Sequence, residues 1–177
     1  DLIDTLDEKD ILSGVGEMLK VHAVDSPKSF DRISNSYCQL LNDKSVLESF
    51  ICDSLLMKKK LIEIDEFDRG PRNVMNYGHS FGHAIESATH YAIPHGIAVT
   101  IGMDMANYVA AEIGESSFRQ FERMHIVLEK NCKTYRKVNI DVGLLMDALT
   151  KDKKNSATQL KLVLPNHDGE ISIGLYD

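Results

Sequence analysis

The sequence predicts a mainly α-helical domain that closes on a short β-hairpin. Apolar residues recur every three or four positions over most of the 177 residues, and the period drops to two only near the C-terminus. A third observation, the grouping of His79, His83 and His95 around one expected helix, gives that domain a candidate site.

Ile11, Leu12, Val15, Met18, Leu19 and His22 share one face of a first helix, which Gly14 and Gly16 weaken unless close packing or ligand approach requires them. Ser26-Pro27 opens a second segment, because proline suits the first helical turn, and Phe30, Ile33, Tyr37 and Leu40 continue it at helical spacing. A long third helix is expected from residue 44 to about residue 64, on Val46, Leu47, Phe50, Ile51, Leu55 and Met57. Gly70-Pro71 is expected to start the histidine helix. The most apolar span, residues 97 to 113, carries Gly102, Ala106, Ala110 and Ala111, small residues that let helices approach closely. It is expected to be the central buried helix, with Gly114 as its stop. Residues 118 to 132 and 141 to 149 add two more helices. Residues 159 to 164 and 170 to 173 alternate around Pro165-Asn-His-Asp-Gly169 and read as two strands and a turn.

Composition bounds the function. A chain of this length with 43% hydrophobic and 27% charged residues suits one globular domain with a real core, and residues 1 to 177 are read as that single domain. A net charge of -7 and a pI near 5.5 argue against nucleic acid as a partner. Local basic clusters at Lys58 to Lys60 and Lys151 to Lys154 suit a small anionic substrate better. Cys38, Cys52 and Cys132 are odd in number and lack Cys-x-x-Cys spacing, so the expectation is free thiols in a reducing compartment. No apolar run approaches 18 residues, the start is acidic, and the default expectation is a cytoplasmic protein without a membrane partner.

On a helix, His79 and His83 lie about one turn apart on one face, and His95 returns to them after a short turn. This is the skeleton of a divalent-metal site, although the spacing alone suits histidines with no ligand role equally well. Ser80 follows His79 and no carboxylate separates the imidazoles, which argues against the peptidase pattern His-Glu-x-x-His. A catalytic zinc takes three protein ligands and keeps one position open. The best further donor is Glu17, flanked by Val15, Met18 and Leu19, because a carboxylate facing a core needs a partner. Taken alone, such a glutamate is more often a solvated helix residue.

A series of motifs carries a resemblance that spacing cannot supply. In order they are the segment from Asp4 to Lys20 containing Gly14-Val-Gly-Glu17; Ser54-Leu-Leu-Met-Lys58; Asp65-Glu66; and Gly70-Pro-Arg72 with Asn76. Then come Gly78-His79, Gly82-His83-Ala-Ile-Glu86, His95-Gly96, Ala98-Val99, Ile101-Gly102-Met103, Asp152-Lys153-Lys154, and the strand Leu160 to Leu164. The chain resembles the C-terminal domain of the 3-dehydroquinate synthase family of sugar-phosphate cyclases over its whole length.

The resemblance implies that Glu17, His79 and His95 are metal ligands for Zn2+ or Co2+, with His83 an active-site histidine beside them. It implies that Lys20, Lys58, Arg72, Asn76 and Lys153, favoured over Lys154, bind the substrate, with Lys20 and His83 in catalytic roles. The implied substrate is a seven-carbon sugar acid phosphate of the shikimate pathway. Arg72 suits its carboxylate through two parallel hydrogen bonds, and lysines suit phosphate and hydroxyl oxygens as point charges. The implied reaction uses NAD to remove and later return a hydride, with net loss of phosphate and closure of a carbocycle.

No Gly-x-Gly-x-x-Gly follows a strand, since Leu19 stands where Gly14-Val-Gly16 would need its third glycine. The resemblance implies that the family's nicotinamide-binding half lies upstream and that this chain is the C-terminal domain, with a homodimer as one option. Ile97 stands where many family members have an acidic residue, and Val21-His22 replaces a common Tyr-Gly pair. These departures leave open a cyclase of the 2-deoxy-scyllo-inosose or 2-epi-5-epi-valiolone type. A glycerol dehydrogenase relative would have little use for Lys20, Lys58, Arg72 and Lys153 together, and a non-catalytic helical module would show no Glu17-dependent metal binding.

Overall fold

The computed structural model describes residues 3–151 and 159–176. Among them are eight α-helices: α1 Glu8–Asp25, α2 Pro27–Asn35, α3 Tyr37–Asn42, α4 Lys44–Ile64, α5 His79–Ala88, α6 His95–Glu112, α7 Phe118–Cys132 and α8 Val142–Thr150. The strands β1 Leu160–Pro165 and β2 Ile171–Tyr176 pair antiparallel, with Leu160 opposite Tyr176 and Pro165 opposite Ile171. No described helix is long and apolar enough to cross a membrane.

Short polar side chains set the helix starts. Asp7, Asp43, Ser117 and Asp141 each accept a hydrogen bond from a backbone N–H in the first turn of α1, α4, α7 and α8, satisfying donors that a helix leaves unpaired. Gly114, at φ 79°, takes the left-handed conformation that ends α6.

The apolar span does form the central helix. α6 packs against α1, α5, α7 and β1, and Ile97, Ala98, Val99, Met103 and Ala110 along it are fully buried. One core gathers Leu19, Phe30, Ile33, Tyr77, Met103, Leu128 and Leu164; a second gathers Ile85, Ile93, Ile97, Ala98 and Leu145. Asn131 joins the helices through buried polar bonds. It donates to the Leu12 carbonyl at 3.1 Å and to Thr100 Oγ1 at 3.0 Å, and accepts from the Tyr37 hydroxyl at 3.1 Å.

Two segments differ from the sequence reading. The helix begun at Pro27 breaks at Ser36, whose N–H bonds back to the Ile33 carbonyl at 3.1 Å in a tight final turn; α3 then resumes with Tyr37 and Leu40 still in the core. The histidine helix starts at His79 instead of near Pro71. Residues Pro71–Asn76 form a 3-10 helix, and Gly78 at φ 75° reverses the chain into α5. Only glycine fits there. A Cβ on Gly78 would lie 2.7 Å from the Val99 carbonyl oxygen and 2.9 Å from the Met103 nitrogen of α6. Arg72 and Asn76 therefore stand on a separate element from His79 and do not extend its face.

Candidate metal centre

The site lies where α1 crosses the start of α6. A Cβ added to Gly16 would overlap the Gly96 carbonyl, and one added to Gly96 would overlap the Ser13 carbonyl, so the two backbones touch. Ser13 Oγ accepts a hydrogen bond from Gly96 N–H at 2.9 Å. Glu17 follows Gly16 and His95 precedes Gly96, so this contact brings carboxylate and imidazole together. His79, the first residue of α5, completes the corner.

Glu17 Oε1 stands 3.7 Å from His95 Nε2 and 3.9 Å from His79 Nε2. The imidazoles of His79, His83 and His95 have ring centroids 5.2 to 5.7 Å apart, and one nitrogen from each falls within 4.8 Å of the others. Ligand atoms around a tetrahedral zinc, bonded at about 2.1 Å, stand about 3.4 Å apart. The two Glu17 contacts are thus a few tenths of an ångström wider than in a closed site.

The other ring nitrogens are engaged. His79 Nδ1 lies 3.3 Å from the Tyr77 carbonyl oxygen and His95 Nδ1 lies 3.1 Å from Glu86 Oε1. Both acceptors carry only lone pairs, so Nδ1 is the donor in each contact and both Nε2 lone pairs face Glu17. Glu17 Oε1 is buried without any hydrogen-bond partner among the described residues. An orphaned carboxylate oxygen beside two imidazole lone pairs is costly unless a cation lies between them, so the residues fit a divalent metal.

Glu17 Oε2 turns the other way. It accepts from Lys20 Nζ at 2.9 Å and lies 3.8 Å from Lys58 Nζ. Lys58 is thereby separated from the rest of its run, since Lys59 faces solvent and pairs with Glu63 at 3.6 Å. Burial raises the Glu17 carboxyl, but the Lys20 charge and hydrogen bond, with His79 and Lys58, outweigh it and leave the group below the usual glutamate range. Burial lowers the Lys20 ammonium against the opposing pull of Glu17. Burial, with Lys20 next, pushes His79 down to about 4.

Arg72 and Asn76 sit on the 3-10 turn, which packs against α1 and α4. The Arg72 guanidinium donates to the Glu66 carbonyl at 2.9 Å, and Asn76 Nδ2 donates to the Asn73 carbonyl at 3.1 Å. Asp65 shapes this loop by accepting from the backbone N–H of Arg69, Gly70 and Arg72 at 2.8 to 3.2 Å. The Arg69 bond leads in lowering its carboxyl below the usual range. His83 is exposed at the open side of the cluster. Lys153 lies outside the described residues. Glu86 had no assigned role in the sequence, although its place seven residues after His79 and three after His83 sets it on the same helical stripe.

Fold and donor set together define a helical domain with a carboxylate–imidazole centre between its first helix and the α5–α6 corner. The family model described as "3-dehydroquinate synthase C-terminal" matches residues 14–155, and the chain belongs to that family. It is 32% identical to the 3-dehydroquinate synthase of Alkaliphilus metalliredigens (strain QYMF), over 97% of this chain and 49% of that protein. It is also 32% identical to that of Helicobacter pylori (strain P12), again over 97% and 49%. The chain thus spans about half the length of the curated relatives it matches.

Among solved structures, it matches a 2-deoxy-scyllo-inosose synthase complexed with carbaglucose-6-phosphate, NAD+ and Co2+. The TM-score is 0.80 at 18% identity, over 97% of this chain and 50% of that one. A 2-epi-5-epi-valiolone synthase from Streptomyces hygroscopicus subsp. jinggangensis 5008, with NAD+ and Zn2+ bound, gives 0.79 at 20% identity, over 96% and 48%. These two likenesses concern the fold.

Proposed function

We propose that this chain is the metal- and substrate-binding half of a 3-dehydroquinate synthase, an enzyme that eliminates phosphate from a seven-carbon sugar acid phosphate and closes a carbocycle. The observation that carries this reading is the division of labour at Glu17, with one buried, unpartnered oxygen toward His79 and His95 and the other on Lys20 and Lys58. Glu17, His79 and His95 would hold Zn2+ or Co2+, and family membership with relatives of that name supports the assignment.

A bound divalent ion would supply Lewis-acid polarisation of substrate oxygens. The protein's own groups do the rest. With such an ion, Lys20 and Lys58 outweigh Glu17 and Glu86, so the corner attracts an anion. Lys58 and Lys153 meet phosphate and hydroxyl oxygens as point charges, and Asn76 supplies a neutral hydrogen-bonding group. Arg72 clamps the carboxylate once its guanidinium leaves the Glu66 carbonyl. His83, exposed beside the ligand pair, holds or moves a proton at an imidazole nitrogen.

NAD would be held by the half of the relatives that this chain does not span. A cytoplasmic setting suits the three free cysteines, two of them exposed. The carboxylate partner offered by Arg72 favours 3-dehydroquinate synthase over the inosose and valiolone cyclases.

The test is a calorimetric zinc titration of this chain near neutral pH, with phosphate release from the sugar acid phosphate, measured on the protein that also carries the nicotinamide-binding half, as companion readout. One equivalent is expected to bind tightly. Glu17→Ala, His79→Ala and His95→Ala should each abolish tight binding, whereas His83→Ala should keep the metal and lose turnover. Wild-type zinc affinity in His79→Ala would overturn the ligand assignment.

A further inference from the structure

We infer that Glu86 is the positioning residue for His95, fixing its tautomer and aim so that Nε2 faces the metal corner. This rests on the metal-centre reading above and assigns a role to a residue outside the ligand set.

The two histidine ligands are supported in different ways. His79 is enclosed, with 14% of its side chain exposed, and its Nδ1 meets a backbone carbonyl that no side-chain substitution removes. His95 opens α6 with 45% of its side chain exposed, so enclosure fixes its ring less than that of His79. Its other contact of fixed direction is Glu86 Oε1, 3.1 Å from Nδ1.

Glu86 is itself suited to hold a ring in place. It lies in the last turns of α5, its side chain is 11% exposed, and α5 packs along α6. A carboxylate oxygen only accepts, so the contact requires Nδ1–H and leaves the Nε2 lone pair directed at Glu17 Oε1, 3.7 Å away. A flipped ring or the other tautomer would present N–H or C–H to the metal corner. A carboxylate on the outer nitrogen of a ligating imidazole also raises its donor strength, and loss of such support typically weakens metal affinity about 10- to 100-fold.

Two measurements on the full chain test this. Zinc competition titrations should show Glu86→Ala weakened about 10- to 100-fold, with Glu86→Gln recovering most of the affinity, because the Gln oxygen accepts the same Nδ1–H. Circular dichroism separates that loss from unfolding. The 15N imidazole spectrum of the metal-free parent, with His95 assigned by its disappearance in His95→Gln, should show the Nδ1–H tautomer. Parent affinity in Glu86→Ala, a Gln variant as weak as the Ala variant, or an Nε2–H tautomer at His95 in the parent would each overturn the role. Failure of the parent to bind zinc would instead sink the metal-centre reading, and the tautomer would still decide what Glu86 does.

Discussion

At the scale of single residues, burial keeps the His79 imidazole in the form a metal would need. His79 is pushed down to about 4 chiefly by burial and then by Lys20, against the opposing charge of Glu17 and the Tyr77 carbonyl, with His83 adding to the depression. The imidazole is therefore neutral, the form that donates to a metal, across the range where an exposed histidine has become cationic. The thermodynamic consequence has a definite sign. Between pH 6.5 and about 4 the unfolded chain binds a proton at this position and the folded chain does not, so stability is fully present above 6.5 and falls on acidification. The contribution to the slope is at most about 1.4 kcal/mol per pH unit. Denaturant unfolding of the metal-free chain, run beside His79→Gln over that window, should give a shallower slope in the variant. Identical slopes would mean that His79 titrates normally.

At the scale of elements, one backbone contact sets the geometry of the centre. Ser13, Gly16 and Gly96 let α1 and α6 meet without intervening side chains, one residue away from Glu17 and His95. Gly96→Ala should force the helices apart, at a cost of roughly 1–3 kcal/mol for overpacking. It should also weaken zinc binding, because the 3.7 Å approach of Glu17 to His95 depends on the same contact. Unfolding and titration of one preparation check both effects; full affinity in a destabilised variant would show that the corner adjusts independently of the helix crossing. Much of this level was legible from sequence. The 3.6-residue period marks α4, α6 and α7, Gly114 marks the stop of α6, and Gly14 and Gly16 in α1 already point to a close approach. The breaks at Ser36 and Gly78 were not legible, since each rests on a tertiary circumstance: a tight turn that keeps Tyr37 and Leu40 in the core, and the passage of the chain against α6.

At the scale of the whole molecule, the centre joins parts of the chain that are distant in sequence, with Glu17 on α1, His79 on α5 and His95 on α6. The sequence supplied these candidates through imidazole spacing and family resemblance. It could not supply Glu86 as a hydrogen-bond partner or Lys20 as a buried ammonium, because those roles exist only once α1, α4, α5 and α6 are packed. A metal held by this set would bind only the folded state, because an unfolded chain holds Glu17 and His95 apart and must close a long loop to bring them together. A metal that binds only the folded state stabilises it by about 2.7 kcal/mol at one hundred times its dissociation constant. Thermal unfolding should therefore move to higher temperature as zinc is added, continue to rise after the site is filled, and return to the metal-free value with a chelator. Glu17→Ala should remove this zinc dependence while leaving its own metal-free transition cooperative. A parent transition indifferent to zinc at saturating concentration would mean that metal binds folded and unfolded chains alike, which is incompatible with a site assembled by the crossing of α1 and α6.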